Sequence, residues 1–141
     1  GLREDGSYDG NVLKEWLEVV KQRCTETGHL EIAMRMVGHV LIHVPPDPDG
    51  LWIHRSAAEV LNAKDAKDMR DGFRTALYNS RGVHWVDPTG KPEKELAAKY
   101  RQQADAIEAA GFPRLATTLR KLAETYEHEA QMIVSRSAPD E

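Results

Sequence analysis

Apolar residues recur at three- and four-residue intervals in six stretches of the chain, and glycine or proline stands near the boundaries of most of them. This spacing places apolar side chains on one face of an α-helix, whereas a half-buried strand would alternate apolar and polar residues. We therefore expect helices over about 11–27, 30–43, 56–63, 66–81, 92–110 and 113–134. Short connections favour antiparallel neighbours, so the sequence predicts an all-α fold of about six helices in three antiparallel hairpins. The hairpins can form a short α-solenoid-like stack or an irregular helical bundle.

Length and composition narrow the class of protein further. The chain has 141 residues, which fits a single helical domain over residues 1–141. Its net charge of −4 disfavours nucleic-acid binding. Cys24 is the only cysteine and no long apolar run is present, which together indicate a cytoplasmic protein with no disulfide and no membrane span. Because the chain starts with Gly rather than Met, we expect a fragment of a longer protein, frayed over 1–9 and 135–141.

A faint internal repeat links the first two pairs of predicted helices. Trp16 recurs as Trp52, and at the same offset four residues of the second helix correspond to four residues of the fourth. These pairs are Met34 with Arg70, Val37 with Phe73, Val40 with Ala76, and Leu41 with Leu77. Stacked helix pairs of this kind usually form binding surfaces rather than active sites.

The first predicted hairpin resembles a tetratricopeptide unit. The resemblance rests on Trp16 at its start, Gly28 at the turn, Ala33 entering the second helix and Pro45 closing it, with Val37, Val40 and Leu41 between. It implies stacked helical hairpins that bind a protein segment. Residues 78–83 and the helix over 94–104 also resemble helical C-terminal regions of large bacterial proteins of unknown function. That second resemblance implies a bacterial origin and no particular activity.

The densest group of unusual side chains lies between the second and third tryptophans. The candidate binding residues are Trp52, His54, Arg55, Arg70, Arg74, Asn79, Arg81, His84 and Trp85. Guanidinium groups beside aromatic rings can bind carboxylate or phosphate in a bidentate fork. In a second interpretation, the indoles pack against the ends of the core and the neighbouring arginines hold loops in place.

Other motifs in the chain have ordinary structural explanations. His39 and His43 are spaced as two zinc ligands on one helix would be, but the sequence lacks the glutamate of the HExxH motif, so we expect no metal. A single glycine precedes Lys91 and Pro92 follows it, which indicates a turn and a helix start rather than a phosphate-binding loop.

The sequence predicts a non-catalytic interaction or scaffold module of a larger bacterial protein. No paired carboxylates or activated nucleophile stand out, so we expect no enzymatic activity and no cofactor. The expected partner is a protein segment or another domain of the same parent chain. The alternative is a helical domain that binds phosphate or nucleic acid through the Arg/Trp/His cluster.

Overall fold

The protein is all-α, as the apolar periodicity predicts. The computed structural model describes residues 10–82 and 85–137, and within these ranges it contains six helices and no strand. The helices are α1 (Gly10–Thr27), α2 (Leu30–Leu41), α3 (Arg55–Asn62), α4 (Lys67–Asn79), α5 (Lys91–Ala109) and α6 (Pro113–Ser137). Residues 135–137 belong to α6, and the remaining residues of the two ends expected to fray lie outside the described part of the chain. None of the described helices is long and apolar enough to cross a membrane.

Two glycines end their helices in the way the sequence predicts. Gly28 has φ 77° and Gly111 has φ 99°, a left-handed conformation that glycine adopts without strain. After Gly28, the backbone N–H of His29 donates to the carbonyl of Cys24 at 2.9 Å, and after Gly111 the N–H of Phe112 donates to the carbonyl of Ile107 at 3.0 Å. These bonds satisfy carbonyls that have no partner within the helix and reverse the chain within two or three residues.

The contacts of the chain divide it into two compact units, Gly1–Leu77 and Tyr78–Glu141. We call these the first and the second unit. The single domain predicted from chain length remains a prediction.

In the first unit, α1 contacts both α2 and α3. Lys14 on α1 is 2.6 Å from Glu59 on α3, which marks the side of α1 that faces α3. The buried apolar residues of this unit are Leu13, Leu17, Met34, Val37, Leu41, Ile53, Ala57, Ala58, Leu61, Ala66, Met69, Phe73 and Ala76.

The backbones of α2 and α4 meet at two glycines. A Cβ built on Gly38 would lie 2.1 Å from the carbonyl oxygen of Met69, and one built on Gly72 would lie 2.0 Å from the carbonyl oxygen of Arg35. No side chain fits at such distances, so the absence of Cβ atoms allows the two helices to touch. This crossing fixes the position of α2 against α4.

The second unit is an antiparallel hairpin of α5 and α6. Its ion pairs run in opposite order along the two helices, since the earlier residue of α5 pairs with the later residue of α6. Arg101 lies 2.5 Å from Glu127, and Arg120 lies 3.0 Å from Asp105. The buried apolar residues are Ala97, Tyr100, Ala104, Ile107, Leu115, Ala116, Leu119, Leu122, Ala123, Tyr126 and Ala130, of which five are alanines that let the helices approach closely.

Four apolar residues that the periodicity places on inward faces are in fact exposed, and the prediction was wrong for them. Val12 is 45% exposed, Trp16 44%, Val40 56% and Val134 43%. In the first unit the reason is that α1 and α2 each carry two adjacent apolar stripes, and only one stripe of each helix faces the core.

Candidate functional site

Two of the predicted site residues lie where the Pro-rich loop joins α3, and Arg55 anchors that loop. The backbone N–H of Arg55 donates to Asp47 Oδ1 at 3.1 Å, and Arg55 Nε lies 3.6 Å from Asp47 Oδ2. The N–H of Asp49 donates to the same carboxylate at 3.1 Å. The bond from the Arg55 backbone is the largest cause that lowers the pKa of Asp47. His54 is the N-terminal cap of α3, since its Nδ1 accepts the N–H of Ser56 at 3.2 Å.

Arg70 caps the other end of α3. Its Nη1 donates to the carbonyl oxygens of Leu61 at 2.8 Å and Ala63 at 2.6 Å, which lie where the helix leaves carbonyls without a helical partner. This contact explains why an arginine interrupts the apolar repeat at that position. Arg74 lies one turn after Arg70 on α4 and is half-buried. Trp52, in the loop before α3, is also half-buried.

The structure divides the predicted cluster between the two units. Trp52, His54, Arg55, Arg70 and Arg74 belong to the first unit, and Asn79, Arg81 and Trp85 belong to the second. His84 lies outside the described residues. Trp85 is 96% exposed. Arg55 and Arg70 hold neighbouring backbone in place, as the second interpretation of the cluster expects, but Trp85 does not pack against the core as that interpretation requires.

Arg81 forms the most buried ion pair between described residues. Its Nη2 lies 2.8 Å from Glu93 Oε1, and the two side chains are 16% and 1% exposed. The guanidinium carbon also lies 6.0 Å from the ring centre of Tyr126. Glu93 Oε2 and the Tyr126 hydroxyl are buried and have no hydrogen-bond partner among the described residues. Within the described part of the chain, the carboxylate thus has a hydrogen-bond donor on one oxygen only.

Three tyrosines stack beside this ion pair. The ring centres of Tyr78 and Tyr126 are 5.6 Å apart, and those of Tyr100 and Tyr126 are 5.9 Å apart. Burial raises the pKa of Tyr126 to about 12. The Tyr78 hydroxyl donates to Glu129, and this bond is the main cause that raises the pKa of Tyr78.

A cavity of about 440 Å³ opens beside these residues, entirely within the second unit. We call it the Glu93 pocket, and its wall is formed by Tyr78, Val86, Glu93, His128, Glu129, Met132, Ile133 and Arg136. Sequence reasoning identified Arg81 and missed Glu93. The spacing of Glu93 could have indicated its burial. It lies four residues before Ala97 and seven before Tyr100, and therefore on the face that α5 buries.

A second feature is an apolar surface on α1 and α2, which we call the outer face. It comprises Val12 (45% exposed), Trp16 (44%), Val19 (49%), Ile32 (63%), Met36 (65%) and Val40 (56%). Each of these residues immediately precedes a more buried one, as Trp16 precedes Leu17 and Met36 precedes Val37.

The two stripes of the outer face lie on one side of the first unit. Successive residues of a helix point about 100° apart, so residues before and after a buried position point to opposite sides. Lys14 follows buried Leu13 and pairs with α3, and Gly38 follows buried Val37 and touches α4. The preceding residues therefore point away from α3 and α4 in both helices.

The segment that precedes α5 has the structure expected of it. Asp87 Oδ1 accepts the backbone N–H of Thr89 at 2.9 Å, and the N–H of Gly90 donates to the carbonyl of Asp87 at 3.0 Å, one residue before α5 begins. This segment is a turn and a helix start. Within the described ranges, His39 and His43 belong to no group of three potential metal ligands.

Comparison with protein-family models, with curated proteins and with solved structures gives no significant match. The function of the chain is therefore inferred from its own residues.

Proposed function

We propose that the chain is a non-catalytic interaction module that binds a protein segment on the outer face of α1 and α2. The observation that carries the proposal is the outer face itself, with six large apolar side chains between 44% and 65% exposed on two adjacent helices. Exposed apolar surface is a typical feature of protein-binding sites. Each Å² of apolar surface that a partner removes from water favours binding by about 25 cal/mol. The partner is expected to present apolar side chains.

The composition of the outer face suits a protein partner. Trp16 supplies a large aromatic surface of the kind enriched at binding hot spots. Met36 is unbranched and adapts its shape to a partner. The Gly38–Gly72 crossing holds α2 in place, so binding does not have to order the helix first.

The tetratricopeptide-like interpretation remains a prediction, because the helix contacts of the first unit fit both a stack of hairpins and an irregular bundle. In stacked repeats each unit contacts its neighbours, and α1 contacts both its own partner α2 and the next helix, α3. A module of this kind acts by presenting a surface, as the proposal requires.

The phosphate- or nucleic-acid-binding alternative has less support. Arg55 lies beside Asp47, Arg70 donates to two carbonyls and Arg81 pairs with Glu93. A phosphate would have to compete with these acceptors for each guanidinium group.

Photo-cross-linking tests the proposal. A benzophenone amino acid replaces Met36 in the full chain, expressed in its native host, and ultraviolet light couples it to whatever lies against the outer face. The expected result is one discrete adduct whose cross-linked peptide, identified by mass spectrometry, carries apolar side chains. The Trp16→Ser variant should reduce the adduct at least about tenfold, because it removes the largest contact of the face.

The matched control places the same amino acid at Gln102, which is exposed on α5 in the second unit. Adducts of equal yield at Met36 and Gln102, or no adduct at Met36, would contradict the proposal. Circular dichroism of Trp16→Ser tests whether the variant is folded, since a lost adduct reports binding only in a folded chain.

A further inference from the structure

The Glu93 pocket has the chemistry of a cation site. We propose that it binds a primary ammonium group carried on an aliphatic chain. The site lies within the second unit and is separate from the outer face proposed above.

The first argument is the unsatisfied carboxylate oxygen. Glu93 is 1% exposed and lines the pocket, and Arg81 binds only its Oε1. Oε2 has no donor among the described residues, and a buried acceptor without a donor is unfavourable. An ammonium group has three N–H donors and can supply the missing bond.

The second argument is charge. Arg81 balances the charge of Glu93, and Glu129 adds a further carboxylate to the same wall. The Tyr78 hydroxyl already donates to Glu129 and fixes its position, with the aromatic ring on the same wall. A cation beside Tyr78 thus meets the Glu129 carboxylate and one aromatic ring, both of which attract it.

The third argument is the apolar part of the wall. Val86, Met132 and Ile133 line the pocket beside the two carboxylates, where an alkyl chain can contact them. Glu93 Oε2 is covered, so a donor reaches it only if a wall side chain moves. Met132 is 41% exposed and unbranched, which makes it the side chain best able to move.

His128 and Arg136 are the two residues of the wall that could bind an anion instead, and Arg136 is the one with a permanent positive charge. It lies seven residues after Glu129 on α6, about 10 Å further along the helix axis. Arg136 is therefore attached to the wall about two helical turns beyond Glu129. An anionic ligand would depend on Arg136 and a cationic one on Glu93 and Glu129.

A nuclear magnetic resonance titration separates these possibilities. The full chain, labelled with ¹⁵N, is titrated with hexylammonium chloride and, separately, with sodium hexanoate. We expect saturable shifts of the amides of Glu93, Glu129 and Met132 with hexylammonium at millimolar concentration, and weaker effects with hexanoate. Glu93→Gln should weaken hexylammonium binding at least about tenfold, because the negative charge that strengthens the hydrogen bond to the ammonium group is lost.

The matched control is Glu95→Gln, which makes the same chemical change two residues away on the exposed side of α5 and should leave binding unchanged. Because Glu93→Gln leaves Arg81 without its counterion and can fail to fold, Glu129→Gln is the second variant, and it should also weaken binding. The proposal is overturned if hexanoate binds more tightly than hexylammonium, if neither glutamate variant weakens binding, or if tens of millimolar hexylammonium produce no saturable shift.

Discussion

Substitution of Gly38 by alanine tests the contact that holds the first unit together. The added Cβ would lie 2.1 Å from the carbonyl oxygen of Met69 and 2.6 Å from the backbone nitrogen of Phe73, whereas ordinary contacts begin at 3.4 Å. Both obstructing atoms belong to the backbone of α4, so no side-chain rotation relieves the clash. The two helices must separate by about 1 Å, which loosens the packing of the core between them.

The expected loss follows from two opposing effects. Overpacking by one carbon in a well-packed core costs about 1–3 kcal/mol, and the rigid backbone contact places Gly38→Ala at or above the upper end. Replacing glycine by alanine within a helix raises the free energy of unfolding by about 1 kcal/mol, because alanine has the higher helix propensity. The net expectation is a loss of about 2 kcal/mol in the free energy of unfolding, or roughly 4–8 °C in the melting temperature.

Urea denaturation followed by circular dichroism measures this loss. Thr75→Ala, at an exposed position of α4, is the control and should change stability by less than about 0.5 kcal/mol. Gly72→Ala should resemble Gly38→Ala, and the double variant should cost less than the sum, because one separation of the helices relieves both clashes. An unchanged or higher midpoint for Gly38→Ala would refute the close crossing.

Three further predictions concern the arginines and the tyrosines. Arg81→Ala should lower the free energy of unfolding by about 3 kcal/mol or more, since it leaves Glu93 buried without a counterion; a change below 0.5 kcal/mol in urea denaturation would contradict this. Arg70→Met should cost about 1–3 kcal/mol by removing the donor to two carbonyls of the α3 terminus, and the melting temperature should fall accordingly. Because the pKa of Tyr126 is about 12, the folded chain keeps that proton between pH 10 and 12 while the unfolded chain loses it. The free energy of unfolding should therefore be insensitive to this group below pH 10 and fall as the pH rises above 10. Tyrosinate absorbance in the folded chain should show one tyrosine that ionises near pH 12. Ionisation of every tyrosine near pH 10 would contradict this prediction.

The helices could be predicted from the sequence because their apolar spacing and their terminal glycines are local signals. The orientation of α1 and α2 could not. Val12 and Leu13, and likewise Trp16 and Leu17, are adjacent apolar pairs, so both members fit an inward-facing pattern. Only the contacts with α3 and α4 decide which member is buried, and these contacts join residues far apart in the chain.

One residue of the candidate ion pair could be predicted from the sequence and its partner could not. Arg81 attracted attention because it stands among tryptophans and other arginines. Its partner Glu93 resembles an ordinary acidic residue in the first turn of a helix, where glutamate is favoured without burial. It is buried beside Arg81 and shares a pocket wall with residues of α6, and the local sequence around Glu93 does not reveal these neighbours.

The most direct test of the central claim is the stability of a chain whose outer face has been made polar. The double variant Ile32→Gln and Met36→Gln replaces the two most exposed members of the face, at 63% and 65% exposure. If the face serves a partner, the free energy of unfolding should change by less than about 0.5 kcal/mol, while cross-linking from Val40 is lost. A loss of more than about 2 kcal/mol would show that these side chains are packed within the chain itself, and the outer face would not be an interaction surface.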